Sequence, residues 1–252
     1  MLNAVTQLVV LVSLPLLLGG CGSKVVDESV AEVKPVEEKQ QEVKPEEPVA
    51  ETKPAETVSV SPNLKYETKD DAVTITGCDK KASGALTIPA TIEGKPVTSI
   101  GNYTFQGCTR LTSITIGNGV TSIGSYAFYV CTSLTSITIG NGVTSIEEGT
   151  FAECSSLTSI TIPDNVTSIG SSAFSFSESL TSITIGNGVT SIEGSAFLSC
   201  TDLSAVTFLG NAPKAGEFVF LHATPTIYRK PEAKGWGKRW GGRPVKLISE
   251  KP

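Results

Sequence analysis

The sequence predicts a β-rich solenoid of five 23-residue coils between an N-terminal and a C-terminal cap. A leucine, an isoleucine and a phenylalanine each recur every 23 residues without an insertion or a deletion. They are Leu111, Leu134, Leu157, Leu180 and Leu203; Ile100, Ile123, Ile146, Ile169 and Ile192; and Phe105, Phe128, Phe151, Phe174 and Phe197. A unit this short cannot enclose a core alone, so positions that share one period indicate an array of stacked coils.

The repeat at residues 111–133, LTSITIGNGVTSIGSYAFYVCTS, shows how one coil is built. Its first six residues have the L-x-x-L-x-L form of a leucine-rich repeat, and strand alternation turns Thr115 outward. The Gly-Asn-Gly segment at 117–119 turns the chain because glycine and asparagine tolerate positive φ. We expect Phe128 and Cys131 to close the coil through a compact turn or one turn of helix.

Two stretches of the array resemble a known family. They read IPATIEGKPVTSIGNYTFQGCTRLTSITI at residues 88–116 and VTSIGSYAFYVCTSLTSITIGNG at residues 120–142. The pattern closely resembles the BspA-like class of bacterial leucine-rich repeats. This resemblance extends from Leu64 to Ile248 and implies an interaction or adhesion protein on a bacterial surface.

The predicted organisation has five segments. They are a lipoprotein signal peptide (1–20), a disordered tether (21–62), an N-terminal cap with the start of the first repeat (63–100), the leucine-rich repeats (101–205) and a C-terminal cap (206–252). We expect cap strands near 64–68, 72–76 and 85–88. The 23-residue repeat is no longer visible in the sequence from Val206 onward. Residues 226–248 resemble the closing segment of BspA-like domains. Caps are needed because an open array presents an apolar face and an unpaired sheet edge.

The first 21 residues predict a lipid anchor. Residues 8–18 form an apolar run that is too short for a membrane span but fits a signal peptide. The segment that follows, Leu18-Gly19-Gly20-Cys21, resembles a bacterial lipobox with Cys21 as the lipidated residue. The preceding MLNAVTQ has no basic residue, and an ordinary signal peptide is the alternative. We expect a lipid-anchored protein of the bacterial envelope, at the outer membrane or cell surface.

The segment after the lipobox has the composition of a tether. Between Lys24 and Pro62 there are ten Asp or Glu, five Lys, five Pro and no aromatic residue. Such a segment has too little apolar surface to offset the entropy lost on ordering, so we predict a solvated, disordered tether. A specific binding tail is the alternative.

Four cysteines occupy one position of the repeat. They are Cys108, Cys131, Cys154 and Cys200, and Ser177 takes the remaining position. Their side chains should project in parallel into the core, where a free thiol packs as a small hydrophobe. We therefore predict buried free thiols, and no metal site, because zinc needs ligands that converge. Cys78 in the N-terminal cap has no evident partner.

No catalytic motif emerges, so we predict that the protein is not an enzyme and uses no cofactor. His222 is the single histidine, and no G-x-S-x-G motif accompanies it. Glu147 and Glu148 are adjacent, but successive side chains diverge and do not form an acid–base pair. A secreted hydrolase is therefore the least favoured function.

Two surfaces are candidates for binding. One is a pair of outward threonine rows: Thr112, Thr115, Thr135, Thr138, Thr158, Thr161, Thr181 and Thr184. The other is a patch in the C-terminal cap: Trp236, Lys238, Arg239, Trp240 and Arg243. The threonines also fit the strand propensity of a solvated face. The tryptophans among cations fit stacking on a sugar or binding of a polyanion, and the resemblance to a BspA-like cap favours sealing of the core instead.

Charge is distributed unevenly along the array. Residues 101–203 hold seven acids and one base, whereas residues 226–252 hold eight bases and two acids. The acidic repeats argue against nucleic-acid binding. We predict a surface-anchored interaction or adhesion module for an unidentified protein or glycan. A carbohydrate-binding protein of the cell envelope is the alternative.

Overall fold

The structure, a computed structural model, describes residues 64–251. The predicted signal peptide, Cys21 and the tether lie outside the described residues. The described chain winds through about seven turns with a spacing of about 23 residues and has almost no helix. The prediction of a β-rich leucine-rich-repeat solenoid is confirmed, although the coils number more than five.

The strands of residues 64–251 are short. The first nine are β1 (Leu64–Lys69), β2 (Ala72–Cys78), β3 (Gly84–Thr87), β4 (Thr91–Ile92), β5 (Lys95–Ile100), β6 (Leu111–Thr115), β7 (Ser122–Ile123), β8 (Ser136–Thr138) and β9 (Ser145–Ile146). The others are β10 (Ser159–Ile162), β11 (Ser168–Ile169), β12 (Ser182–Ile185), β13 (Ser191–Ile192), β14 (Ala205–Phe208), β15 (Lys214–Ala215), β16 (Thr226–Arg229), β17 (Arg239–Trp240) and β18 (Arg243–Leu247). A 3-10 helix at Ile248–Glu250 follows.

The first strand of each coil builds one side of the solenoid, which we call the threonine face. It consists of a parallel sheet β3-β6-β8 and a second sheet β10-β12-β14-β16-β18-β17. Ile114 pairs with Ile137, and Ile160 pairs with Ile183. Partners in these pairs occupy the same place in successive repeats, so isoleucines align inward and threonines align outward.

The second extended segment of each coil builds an adjoining side. Here β5 pairs with β7, and β9, β11, β13 and β15 form a four-stranded sheet. Threonine hydroxyls link neighbouring coils along this side. Thr121 donates to the carbonyl of Thr98 at 3.2 Å, and Thr190 donates to that of Thr167 at 3.1 Å. These bonds supplement the short strand ladders.

A column of six phenylalanines runs through the core. It contains Phe105, Phe128, Phe151, Phe174, Phe197 and Phe220, with neighbouring ring centroids 5.0–5.4 Å apart. The sixth ring shows that the coils continue past Val206, where the sequence period ends. Phe208 likewise pairs opposite Ile185. The inward positions stay apolar there but change residue type, which is why the period is no longer visible in the sequence.

The coils close through turns with two left-handed residues each. Tyr126 and Val130 have φ of 57° and 59°, and Ser172 and Phe176 repeat this at 56° and 58°. These are compact turns, as the sequence predicts, and the alternative of one turn of helix does not occur at these positions within residues 64–251. A left-handed residue interrupts the run of right-handed φ and ψ that a helix needs.

Stacking explains the glycines of the Gly-Asn-Gly turns. A Cβ on Gly142 would overlap the carbonyl oxygen of Asn118 in the preceding coil, and one on Gly188 would overlap that of Asp164. The neighbouring backbone therefore occupies the space that a side chain would need.

The N-terminal cap covers the first coil with an antiparallel hairpin. β1 pairs with β2, and β2 continues in parallel onto β5. The predicted cap strands near 64–68, 72–76 and 85–88 correspond to β1, β2 and β3. Val73 and Ile75 of β2 are at most 1% exposed, so the hairpin closes the apolar end of the array.

Candidate binding surfaces

All eight predicted threonines lie on the outer side of the threonine face. Seven are exposed, and Thr184 is half-buried. Strand register places Thr138 beside Thr115, and Thr184 beside Thr161. The threonines therefore form straight rows that cross the coils.

The two rows differ in what their hydroxyls do. In one row, Thr135 donates to the carbonyl of Thr112 at 2.9 Å, and Thr181 donates to that of Thr158 at 3.0 Å. The hydroxyls of the other row make no hydrogen bond within residues 64–251; they belong to Thr115, Thr138, Thr161 and Thr184. The first row thus stabilises the stack, and the second row is open to a ligand.

A depression of about 590 Å³ lies in the threonine face where its two sheets meet between β8 and β10. The strands there are joined by Thr158 N to Thr135 O at 3.4 Å. Ile137 and Ile139 are 8% and 7% exposed, against 1% for Ile114. Apolar side chains therefore reach the floor of a depression whose rim carries open hydroxyls.

The two tryptophans of the C-terminal cap differ in how deeply they are buried. Trp240 is 9% exposed, and its ring packs 5.0 Å from Phe208 and 5.8 Å from Phe220. Its Nε1 donates to the carbonyl of Pro213 at 2.8 Å. Trp236 is half-buried and donates from Nε1 to the carbonyl of Gly210 at 3.3 Å. Trp240 seals the core, while part of Trp236 remains accessible.

The cap arginines bind the backbone of the cap itself. Arg239 donates from Nε to the carbonyl of Gly242 at 3.2 Å. Arg243 donates from Nη2 to the carbonyl of Phe220 at 2.9 Å. These two predicted patch residues therefore fasten the closing segment, whereas Lys238 is exposed.

A cavity of about 440 Å³ opens on the cap, which we call the cap cavity. Its walls include Trp236 and Lys238 from the predicted patch, together with Arg229 and Lys246. Sequence reasoning missed Arg229 and Lys246. They meet because β16 pairs with β18, with Tyr228 opposite Lys246.

Comparison with known families classifies the array. A family described as BspA type leucine rich repeat region matches residues 87–225 in six copies. The chain belongs to this family. A search of curated proteins found no match.

Several solved structures resemble this BspA-type chain. The leucine-rich repeat protein TpLRR of T. pallidum has a TM-score of 0.59 and 28% identity over 65% of this chain and 88% of that chain. The pneumococcal vaccine antigen PcpA has a TM-score of 0.55 and 24% identity over 68% and 49% of the two chains. A leucine rich cell surface protein from Faecalibacterium prausnitzii has a TM-score of 0.48 and 29% identity over 67% and 54%.

The BspA-type coils share a buried column of thiols and one hydroxyl. Cys131 donates to the carbonyl of Phe105 at 3.2 Å, and Cys200 donates to that of Phe174 at 3.0 Å. Ser177 donates to the carbonyl of Phe151 at 2.9 Å, which explains why serine can replace cysteine there. Burial raises the pKa of Cys131 and of Cys200 to about 12. These thiols thus stay protonated, as donors must.

Cys78 in the N-terminal cap lies beside the first thiol of the column. Its thiol donates to the carbonyl of Asp79 at 3.6 Å and neighbours the thiol of Cys108. Interaction between the two thiols raises the pKa of Cys78 and lowers that of Cys108. The sequence did not indicate the contact because Cys78 belongs to the cap and not to the repeat. All five described cysteines are free thiols.

The BspA-type array brings one serine near the histidine. Ser199 Oγ lies 3.5 Å from His222 Nδ1. A nucleophile–base pair also needs a group that orients the base, and no carboxylate bonds His222 within residues 64–251. Glu147 accepts a hydrogen bond from Ser145 at 2.6 Å, and Glu148 accepts one from Tyr126 at 2.8 Å, so these two carboxylates have separate partners.

Residues 64–251 contain no group of three or more histidine, cysteine or acidic side chains placed to hold a metal ion. None of the helical structure described there has the length and apolar character to cross a membrane.

Proposed function

We propose that this BspA-type chain is a surface-displayed protein-interaction module that serves in adhesion. The observation that carries the proposal is the open threonine row beside the depression between β8 and β10. Family membership supports an interaction role rather than catalysis.

The lining of the depression has the composition of an interface core. It contains Ser, Thr, Asn, Ile and Pro residues and no charged residue. The centres of protein interfaces are depleted of charge and combine apolar contact with hydrogen bonds. The hydroxyls of Thr138 and Thr161 can both donate and accept, and Ile137, which is 8% exposed, adds a small apolar contact surface. A neutral, extended partner segment fits this surface best.

The double variant Thr138→Lys with Thr184→Lys tests this surface. We expect it to weaken capture of a host-cell or neighbouring-cell surface protein at least tenfold, because binding would desolvate two new charges. The affinity is measured by titrating the full-length parent and variant chains against whole cells and against the partner purified from those cells.

The matched control is Thr144→Lys with Thr190→Lys, which adds the same charges two coils apart on the adjoining side. Both threonines there are exposed. This control should keep its affinity within about twofold. Equal affinities for the two double variants would refute the threonine face as the binding site.

We further propose that a lipid on Cys21 holds the module at the bacterial envelope, at the outer membrane or cell surface. The support is the apolar run followed by Leu18-Gly19-Gly20-Cys21. Expressed in a bacterial host with labelled palmitate, the chain should take up label and enter the detergent phase. Cys21→Ala should lose both properties, while Cys200→Ser should keep them. A Cys21→Ala chain that partitions like the parent would rule out the lipid anchor.

A second candidate function is carbohydrate binding in the cell envelope. The cap cavity favours it because the cavity combines an aromatic ring with three cations. A secreted hydrolase has no comparable support: the Ser199–His222 pair lacks an orienting carboxylate within the described residues.

A further inference from the structure

We propose that the cap cavity binds an anionic sugar, a short saccharide that carries carboxylate or sulfate groups. The inference rests on the carbohydrate-binding alternative and is independent of the threonine face. The cavity measures about 440 Å³, within the ~300–1,000 Å³ typical of small-ligand sites.

The cations of the cap cavity have no acidic partner in the described part of the chain. The one ion pair within residues 64–251 joins Lys95 to Asp71, far along the sequence from the cap. Glu250 is the only acid on the cavity wall, and its Oε1 already accepts a hydrogen bond from the backbone N–H of Leu247 at 2.9 Å. The local field therefore favours an anion.

Arg229 is held in place before any ligand arrives. It is half-buried, and its Nη1 donates to the carbonyls of Lys230 and Pro231, both at 3.0 Å. The other guanidinium N–H groups remain for a carboxylate or sulfate, which they can meet as a planar fork. Lys238 and Lys246 are exposed and supply mobile charges at the entrance.

Trp236 supplies a fixed apolar wall. Its ring lies 4.9 Å from Phe208 and 6.0 Å from Trp240, and its Nε1 donates to Gly210. A ring that is already immobilised loses little entropy when a ligand stacks on it. Val245 and Leu247 extend the apolar lining. Such a wall suits the C–H face of a sugar ring, while the cations hold its acidic groups.

The charge pattern also limits the size of the ligand. Residues 101–203 hold seven acids and one base, so the repeats repel a polyanion that extends beyond the cap. Nucleic acid would need a longer track of cations. The geometry fits a short anionic oligosaccharide or the end of an acidic polysaccharide.

The test is calorimetric titration of the full chain with trigalacturonate, a sulfated maltotriose and neutral maltotriose. We expect at least one anionic sugar to bind, with an affinity that falls as salt rises, and maltotriose to bind at least tenfold more weakly. Trigalacturonate carries only carboxylates and the sulfated maltotriose only sulfates, so these two titrations distinguish which group is recognised. Equal binding of maltotriose, or no binding of either anionic sugar, would overturn the proposal.

Two double lysine variants test whether the sugar binds in the cap cavity. Lys238→Gln with Lys246→Gln should lower the affinity at least tenfold. Lys230→Gln with Lys234→Gln removes the same charge from the same cap but outside the cavity lining, so the affinity for the sugar should change less than threefold. Equal losses of affinity in the two double variants would show diffuse attraction to the cap and would overturn the cavity as the binding site. Thr138→Lys with Thr184→Lys should leave sugar binding intact, which keeps this test separate from that of the threonine face.

Discussion

Replacing Trp240 with alanine should lower the free energy of unfolding by about 3–5 kcal/mol, as for other large buried aromatics. Trp240 is 9% exposed and covers Phe208 and Phe220 at the end of the core. The change also leaves the carbonyl of Pro213 without its hydrogen-bond donor. Chemical denaturation of the parent and the variant measures the difference.

The control for this prediction is Phe218→Ala. Phe218 is an aromatic residue of the last coil but is 64% exposed, so its loss should change the free energy of unfolding by less than about 0.5 kcal/mol. Equal destabilisation by the two substitutions would contradict the sealing role of Trp240.

Truncation after Phe220 extends the same prediction to the whole closing segment. It removes β16, β17 and β18 and leaves β14 as an open edge. Exposed parallel edges pair with other chains, so the shortened domain should self-associate and melt at a lower temperature. Light scattering and thermal unfolding measure this. A shortened domain that stays monomeric and melts like the parent would contradict the capping role of the closing segment.

Phe151→Ala, in the middle of the array, should also lower the free energy of unfolding by about 3–5 kcal/mol. The Phe151 ring is fully buried and lies 5.3 Å from both Phe128 and Phe174. Repeat proteins owe their cooperativity to interfaces between neighbours, so a cavity at this position weakens two interfaces at once. We expect a lower melting temperature and a broader transition.

Phe176→Ala is the matched control for the column. Phe176 belongs to the next coil and is 46% exposed, so its removal should leave the transition sharp and shift it little. A Phe151→Ala domain that melts with the parent's midpoint and width would show that the column does not couple the coils.

The repeat made much of the fold predictable. Because each coil is one period long, a residue pairs with its counterpart in the next coil, and the register follows from the repeat itself. The outward Thr138 and the inward Phe128 and Cys131 follow from this rule and strand alternation. Their environments in the structure match: Thr138 is exposed, and Phe128 and Cys131 are fully buried.

The candidate sites were less predictable, for two physical reasons. The first is hydrogen bonding, which depends on carbonyl direction as well as on side-chain direction. Thr135 and Thr138 both face outward, yet Thr135 donates to Thr112 whereas Thr138 stays open. The second is pairing between segments that do not repeat. Cys78 meets Cys108 because the cap hairpin packs on the first coil.

The sequence by itself determined the solenoid, its period, its core columns and the outward threonine rows, since each depends on local alternation copied from coil to coil. Only the tertiary structure decided the open row, the depression at the β8–β10 break and the wall of the cap cavity. It also decided that Trp240 is buried while Trp236 lines the cavity. These features arise where strands separate or where β16 meets β18, and contacts between non-repeating segments depend on packing that no local pattern encodes.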